Sequence, residues 1–253
     1  MKLFKYVPID AAIKILKTNQ IGFSKSIYFN DPFDIPTNPY VPDYGIFGSL
    51  TADLKSQIWR DSTAILSLTR TATNPLMWAH YAEGHTGVVL EFEAYKSGFL
   101  SEAENVIPAQ FGSVIYLSER IVGQYVSKAG SGYVLGRTYK FQSDHFEKLQ
   151  RLFLYKPICW AYEEEVRIVK CIGQLPDSGG KIDSGEFSIV KANGRELHAF
   201  HLPVGAIGAA YLGMRCDRHK ADEIAALLGD SQTYHCEAEK DSYALKWRAY
   251  ARR

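Results

Sequence analysis

The run Trp160-Ala161-Tyr162-Glu163-Glu164-Glu165-Val166-Arg167-Ile168-Val169 constrains this chain more than any other stretch. Its carboxylates come first and its β-branched residues last, the composition of a strand. Residues two apart on a strand share a face. Glu163, Glu165 and Arg167 are therefore expected on one side, with Glu164, Val166 and Ile168 on the other and the two apolar residues turned to a core. A row of two carboxylates and a guanidinium suits a cleft that holds ribose hydroxyls and stabilises a cationic transition state. The same pattern also describes a solvated sheet face, the commoner use of alternating charge.

The rest of the chain supplies many short strands and few helices. Leu3 to Val7 reads as a strand, followed by a helix from Asp10, as N-cap, to about Asn19. Gln20 to Phe29 is extended around Gly22. Asn30-Asp31-Pro32-Phe33-Asp34 is turn chemistry, and four prolines between Pro32 and Pro42 mark an irregular loop. Short helices are expected at Asp53–Asp61 and at Asn74–Ala82, the second with Pro75 at its first position, where a missing N–H costs least. Strands are expected at Ala64–Thr69, Gly87–Glu93 and Ser113–Leu117. A capping box of Asp144 and Glu147 opens a helical stripe through Phe153. Gly173 to Gly185 reads as a polar hairpin or linker. Phe187–Val190 and Leu197–Leu202 pair around Asn193-Gly194, and Gly205–Leu212 is the last strand. A helix over Asp217–Leu228 ends at Gly229, leaving a basic, frayed tail from Lys246 to Arg253. Strands without regular βαβ alternation argue an α+β fold, with central mixed or antiparallel sheets flanked by helices. The 253 residues are read as one domain, 1–253, in which 214–253 form a C-terminal helix and tail.

Composition excludes little but excludes it clearly. A net charge of +1 gives no global field toward nucleic acid or membrane, although a local basic patch is compatible with it. The four cysteines, Cys159, Cys171, Cys216 and Cys236, form no Cys-x-x-Cys pair, so neither a zinc ribbon nor a dense disulfide framework is expected. Reduced thiols in a cytoplasmic protein are the reading. Pro8, Asp10 and Lys14 interrupt the N-terminal segment, and neither a signal peptide nor a transmembrane helix is read. Gly130, Gly132 and Gly136 lack a following Lys-Ser/Thr and make no phosphate loop.

Several side chains carry two readings each. Asp31 and Asp34 are close enough in sequence to coordinate one metal ion, or they fix a turn. Asn30 and Asp31 are read toward substrate positioning and Asp34 toward the turn. Trp78 and Tyr81, at i and i+3, share a helix face and can stack on a ring, or fill a core. His80 is an acid, base or nucleotide contact, or else a buried hydrogen-bonded histidine. Its spacing from His85 is poor for a shared metal. Lys5, Lys25, Arg70 and Lys156 are candidates for phosphate contacts, with solvated side chains as the default. Ser67 has no evident Asp-His partners and no nucleophile-elbow glycines, which argues against serine hydrolase chemistry.

Taken together, several words resemble a bacterial family catalogued as domain of unknown function 2971. They are Leu3-Phe4-Lys5-Tyr6, Phe23-Ser24, Phe29-Asn30-Asp31-Pro32-Phe33-Asp34, Pro75-Leu76-Met77-Trp78-Ala79-His80-Tyr81-Ala82, His85-Thr86-Gly87-Val88-Val89-Leu90-Glu91-Phe92, and Lys156 with Trp160 through Arg167. The likeness spans about residues 3–213 and carries no function. The order of elements also resembles that of ADP-ribosyltransferases, the DNA-modifying DarT type among them. That resemblance implies an early residue that holds the nicotinamide ribose, a serine-rich strand and a late catalytic glutamate. Lys5-Tyr6 then stand at the early position, Ser67-Leu68-Thr69 on the serine-rich strand, and Glu163 or Glu165 as the acid. Lys5 replaces the usual His or Arg, and Leu68 interrupts the Ser-Thr-Ser word.

On this likeness the chain is expected to cleave NAD, as a substrate and without a metal, and to pass ADP-ribose to nucleic acid or protein in phage defence or as a toxin. Breaking the nicotinamide–ribose bond passes through an oxocarbenium-like state, which a nearby carboxylate stabilises. Glu165, with Glu163 and His80, is assigned the chemistry. Lys5, Tyr6, Asn30, Asp31, Ser67, Thr69, Arg70, Trp78, Tyr81 and Arg167 are assigned to NAD. Two alternatives stand beside it. One is a metal-dependent nuclease or phosphoesterase that gathers Asp31, Asp34, Glu163 and Glu165 around Mg²⁺. The other is a non-enzymatic sensor or binding module that grips a partner with loop 29–44.

Overall fold

A computed structural model of the chain describes residues 1–31, 33–34, 61–119, 153–173, 185–192 and 194–252. The glycine-bearing loop, the capping box at 144–147, and nearly all of the proline-rich loop, the helix at 53–61 and the linker at 173–185 lie outside these residues.

Strand β1 (Lys2–Val7) leads into helix α1 (Ile9–Thr18) and strand β2 (Gln20–Ser24). Pro8 rather than Asp10 is the N-cap of α1: it fixes the extended entry, and Asp10 sits in the first turn, where its charge favours the helix dipole. Strand β3 (Thr63–Thr69) is followed by helix α2 (Pro75–Tyr81), whose N-cap Asn74 accepts from the amides of Leu76 and Met77. Next come β4 (Val88–Glu93), β5 (Ile115–Leu117), β6 (Tyr155–Pro157) and β7 (Glu165–Cys171). β8 (Phe187–Ala192) and β9 (Arg195–His201) form the expected hairpin, and β10 (Ile207–Leu212) precedes helix α3 (Arg218–Leu228). The chain does not fray after α3. It returns as β11 (Thr233–Ala238) and β12 (Leu245–Ala249), because Leu245 and Trp247 have an apolar face to cover.

One ten-stranded sheet organises the fold in the order β12-β11-β10-β4-β1-β3-β2-β9-β8, with β7 added on β3. It is mixed: β10 and β11 run parallel and the other neighbours antiparallel. The α+β expectation holds. Helices α1 and α3 lie on one face, where Ala12, Ile13, Ala221 and Ile224 meet Leu3, Leu90 and Leu212. Helix α2 packs on the opposite face, Trp78 against Tyr6, Val89 and Cys236.

The sheet is not evenly joined. β4 pairs with β1 along its whole length, from Lys2↔Glu93 to Val7↔Val88. β7 pairs with β3 just as fully, from Thr63↔Cys171 to Thr69↔Glu165. Between these two ribbons, β1 and β3 share the single register position Phe4↔Thr69 and then part. Backbone groups at such a parting lose their ladder partners and must find others. That is where a cleft opens.

Candidate active site

A cavity of about 170 Å³ occupies the parting of β1 and β3. β1 contributes Phe4, Lys5 and Tyr6, and β3 contributes Ser67, Leu68 and Thr69. Phe29, Asn30 and Asp34 come from the turn after β2, Met77 and Tyr81 from α2, and Lys156, Glu163 and Glu165 from the far side.

The charged run at 160–169 splits into two conformations. Ile158–Glu163 is a 3-10 helix, and the strand starts only at Glu165. Glu164, exposed, sits between them in the left-handed region at φ 45°. That corner ends the alternation expected for Glu163. Both carboxylates then reach one ammonium: Lys156 Nζ donates to Glu163 Oε2 at 2.5 Å and to Glu165 Oε2 at 2.9 Å. Val166 and Ile168 enter the core as expected. Glu163, Glu165 and Arg167 are 4%, 4% and 0% exposed, so the row is no solvated sheet face.

Arg167 ties the cluster together. Its Nε and Nη2 grip Glu165 at 2.9 and 3.1 Å, Nη2 also donates to Asp34 Oδ2 at 2.6 Å, and Nη1 donates to the Phe153 carbonyl at 2.7 Å. Phe29 lies 5.4 Å from the guanidinium, within cation–π range. Burial works against the charge of Glu165, but Arg167 and Lys156 outweigh it and hold the carboxyl down at about 2. A hydrogen bond with the Ser67 side chain adds to that. Burial also opposes the charge on Lys156, and Glu165 and Glu163 reverse this and hold it above the ordinary lysine value. Asp34 goes the other way: burial raises its pKa in spite of Arg167. The Tyr116 hydroxyl accepts the Glu165 amide at 2.9 Å and fixes the start of β7.

Lys5 differs from the other two cations. Its Nζ donates to the Ser67 carbonyl at 3.0 Å, and burial pushes its pKa down to about 8 against the pull of Glu165. Tyr81 donates to Glu163 Oε1 at 2.6 Å and also bonds with the Asn30 side chain. Tyr6 is in the cavity lining, packs its ring against Trp78 at 5.3 Å and donates from its hydroxyl to the Thr71 carbonyl at 3.1 Å.

Nine of the thirteen expected site residues meet around this cavity: Lys5, Tyr6, Asn30, Ser67, Thr69, Tyr81, Glu163 and Glu165 in its lining, and Arg167 directly behind Glu165. Four do not. Trp78 is fully buried, donates its indole N–H to the Ala72 carbonyl at 2.9 Å and stacks on His85, so its ring is spent on the core. His80 is exposed on the outer side of α2, its ring 6.2 and 6.5 Å from those of Tyr81 and Tyr162, and is neither in the lining nor buried. Arg70 is exposed and donates to Ser113 Oγ at 2.6 Å. Asp31 makes the Asx turn, accepting from the Phe33 amide at 2.9 Å.

Asp31, read toward substrate positioning, thus makes the turn, and Asp34, read toward the turn, lines the cavity and accepts from Arg167. The signal was present: one carboxylate suffices for the turn, so the second is surplus to it. Lys156 gave no local signal beyond its charge. Among the described residues, no group of three or more His, Cys, Asp or Glu side chains is arranged to hold a metal ion. None of the described helices is long and apolar enough to cross a membrane.

The family described as protein of unknown function DUF2971 matches residues 77–168. The matched stretch takes in α2, β4 and the Lys156, Glu163, Glu165 and Arg167 cluster. The words at residues 3–6 and 29–34 lie outside it, so the match is shorter than the expected 3–213. No curated protein and no solved structure matches the chain.

Proposed function

We propose that the cavity between β1 and β3 binds the nicotinamide end of NAD and cleaves its glycosidic bond, passing ADP-ribose to nucleic acid or protein. The observation that carries the reading is the convergence of Lys5 and Tyr6, Ser67 and Thr69, and Glu165 on one pocket, although some 160 positions separate the first from the last. A pocket of about 170 Å³ is smaller than the about 300–1,000 Å³ that encloses a whole drug-sized ligand. It suits one end of an extended molecule.

Charge supports the same chemistry. An oxocarbenium-like state puts positive charge on the ribose, and a carboxylate that stays ionised stabilises it only as that charge develops. Glu165, held at about 2, is ionised at every physiological pH. Arg167 and Lys156 fix its two oxygens in place, so little reorganisation remains for the reaction. Lys5, bonded to a backbone carbonyl, is placed for the phosphates or the ribose. Tyr6 offers an aromatic face to the leaving ring.

One observation favours a second reading. Both Glu165 oxygens already accept from cations, as in a purely structural ion network. In that case the pocket binds a ligand without turning it over. The metal-dependent nuclease draws less support, because Asp31 is spent on its turn and the other carboxylates face Lys156 and Arg167.

Incubation with NAD, followed by chromatography for free nicotinamide, separates these. Release by the wild type that falls about 10²–10³-fold in Glu165→Gln supports the enzyme. NAD binding without release selects the binding module. Absence of both binding and release removes NAD altogether.

A further inference from the structure

The carboxylate of Asp34 is used by the protein on one side only. Its Oδ2 receives Arg167 Nη2 at 2.6 Å and lies 3.9 Å from Lys156 Nζ. Its Oδ1 is buried and has no hydrogen-bond partner. The residue as a whole is 6% exposed, and it lines the cavity. An unmet buried acceptor is costly, and one kept beside a pocket calls for a ligand donor as its partner. The turn does not need it, since Asp31 already caps that turn.

We infer that Asp34 is a specificity-determining residue of the pocket, whose free Oδ1 accepts an N–H from the bound ligand. Resting on the NAD reading, that donor is the carboxamide NH₂ of nicotinamide. Arg167 and Lys156 hold the carboxylate in one orientation, so the acceptor is set before the ligand arrives. A pocket built this way discriminates between two rings of equal size. Nicotinamide brings a donor to Oδ1. Nicotinate brings a carboxylate, which gives nothing to Oδ1 and is repelled by it. Lys5, in the same lining, works the other way and attracts nicotinate, so the preference measures Asp34 against Lys5.

The test is a calorimetric titration of the full chain with nicotinamide, nicotinate and NAD. The wild type is expected to bind nicotinamide at least about tenfold more tightly than nicotinate. Asp34→Asn keeps an oxygen for Arg167 and turns the free group into a donor. It is expected to shift the preference toward nicotinate by a further factor of about ten or more, with unchanged Lys156 and Arg167. Thermal melting establishes that this variant is folded, and the wild-type comparison of the two rings stands without it. Equal binding of both rings by the wild type, or a preference that Asp34→Asn leaves in place, overturns the inference while NAD binding keeps the proposed function intact. Failure of the wild type to bind NAD at all overturns both.

Discussion

Arg167 donates from Nη2 to Asp34 Oδ2 across 2.6 Å, bridging 133 positions of sequence inside a fully buried cluster. The same guanidinium holds Glu165 through two nitrogens. Removing one partner from a buried charge network costs more than the network itself is worth, because the others are left charged and dry. Arg167→Met is therefore expected to lower the unfolding free energy by about 3–5 kcal/mol in a urea titration. A loss below about 1 kcal/mol, the scale of an exposed pair, would contradict the burial.

Gly112 has a role no strand pattern reveals. Its carbonyl accepts the Arg167 amide at 2.8 Å, and a Cβ at position 112 would stand 2.0 Å from the Arg167 carbonyl oxygen. Backbone cannot swing aside as a flexible side chain does. Gly112→Ala is expected to cost about 1–3 kcal/mol and to weaken NAD binding as well, because β7 must move with Glu165 on it. Melting and titration of the same variant check both halves.

Trp78 and Tyr81 share a short helix, but Trp78 is in the core and Tyr81 is in the cavity lining. Trp78→Ala removes a fully buried ring and is expected to cost about 3–5 kcal/mol. Trp78→Phe, which keeps most of the packing, should leave NAD affinity unchanged. Tyr81→Phe deletes only the hydroxyl that bonds Glu163 and Asn30, and is expected to alter NAD affinity with little change in melting temperature. The opposite pattern would return Trp78 to the site.

What the sequence disclosed was local. An apolar run marked β3, alternation marked β4 and β7, Asn74 and Pro75 marked α2, and the identity of Glu165 and Arg167 as partners on one face followed from a period of two. The parting of β1 from β3 is tertiary, set by which strands pair fully, and no periodicity records it. Glu163 was assigned to the strand because nothing in Glu-Glu-Glu says which residue turns left-handed. Asp34 was assigned to its turn because its partner lies in another element entirely. The last two strands, β11 and β12, lie beyond the expected ones: Leu245-Lys246-Trp247-Arg248-Ala249 does alternate, but over only five residues, and Lys246, Arg248 and Arg252 read equally as a basic tail. The helix read from Asp144 lies outside the described residues.

Acid should unfold the protein through Glu165 in a defined window. Its folded value of about 2 lies below the about 4.3 of a free glutamate, so its contribution is complete above about pH 4.3. It is lost as the pH falls through about 2, where the folded form takes up its proton. Asp34, raised by burial, contributes with the opposite sign. Urea midpoints measured on both sides of that window should fall steeply in the wild type and less in Glu165→Gln.

Lys5 gives a second window, and there stability and binding move in opposite directions. Burial holds its folded value at about 8, below the about 10.4 of a free lysine. Between these values the unfolded chain binds the extra proton, so stability rises with pH. Lys170, which burial also lowers to about 8 against Glu104, adds a similar slope. It faces Phe23 and Phe200 rather than the cavity. A phosphate or other anion in the cavity needs the charged form of Lys5, so NAD affinity should fall as the pH rises through about 8. Lys5→Met is expected to flatten that binding profile, while Lys170→Met changes the stability slope alone. Calorimetric titrations with NAD on both sides of that value decide it. A profile that Lys5→Met leaves sloping would mean that another group holds the anion.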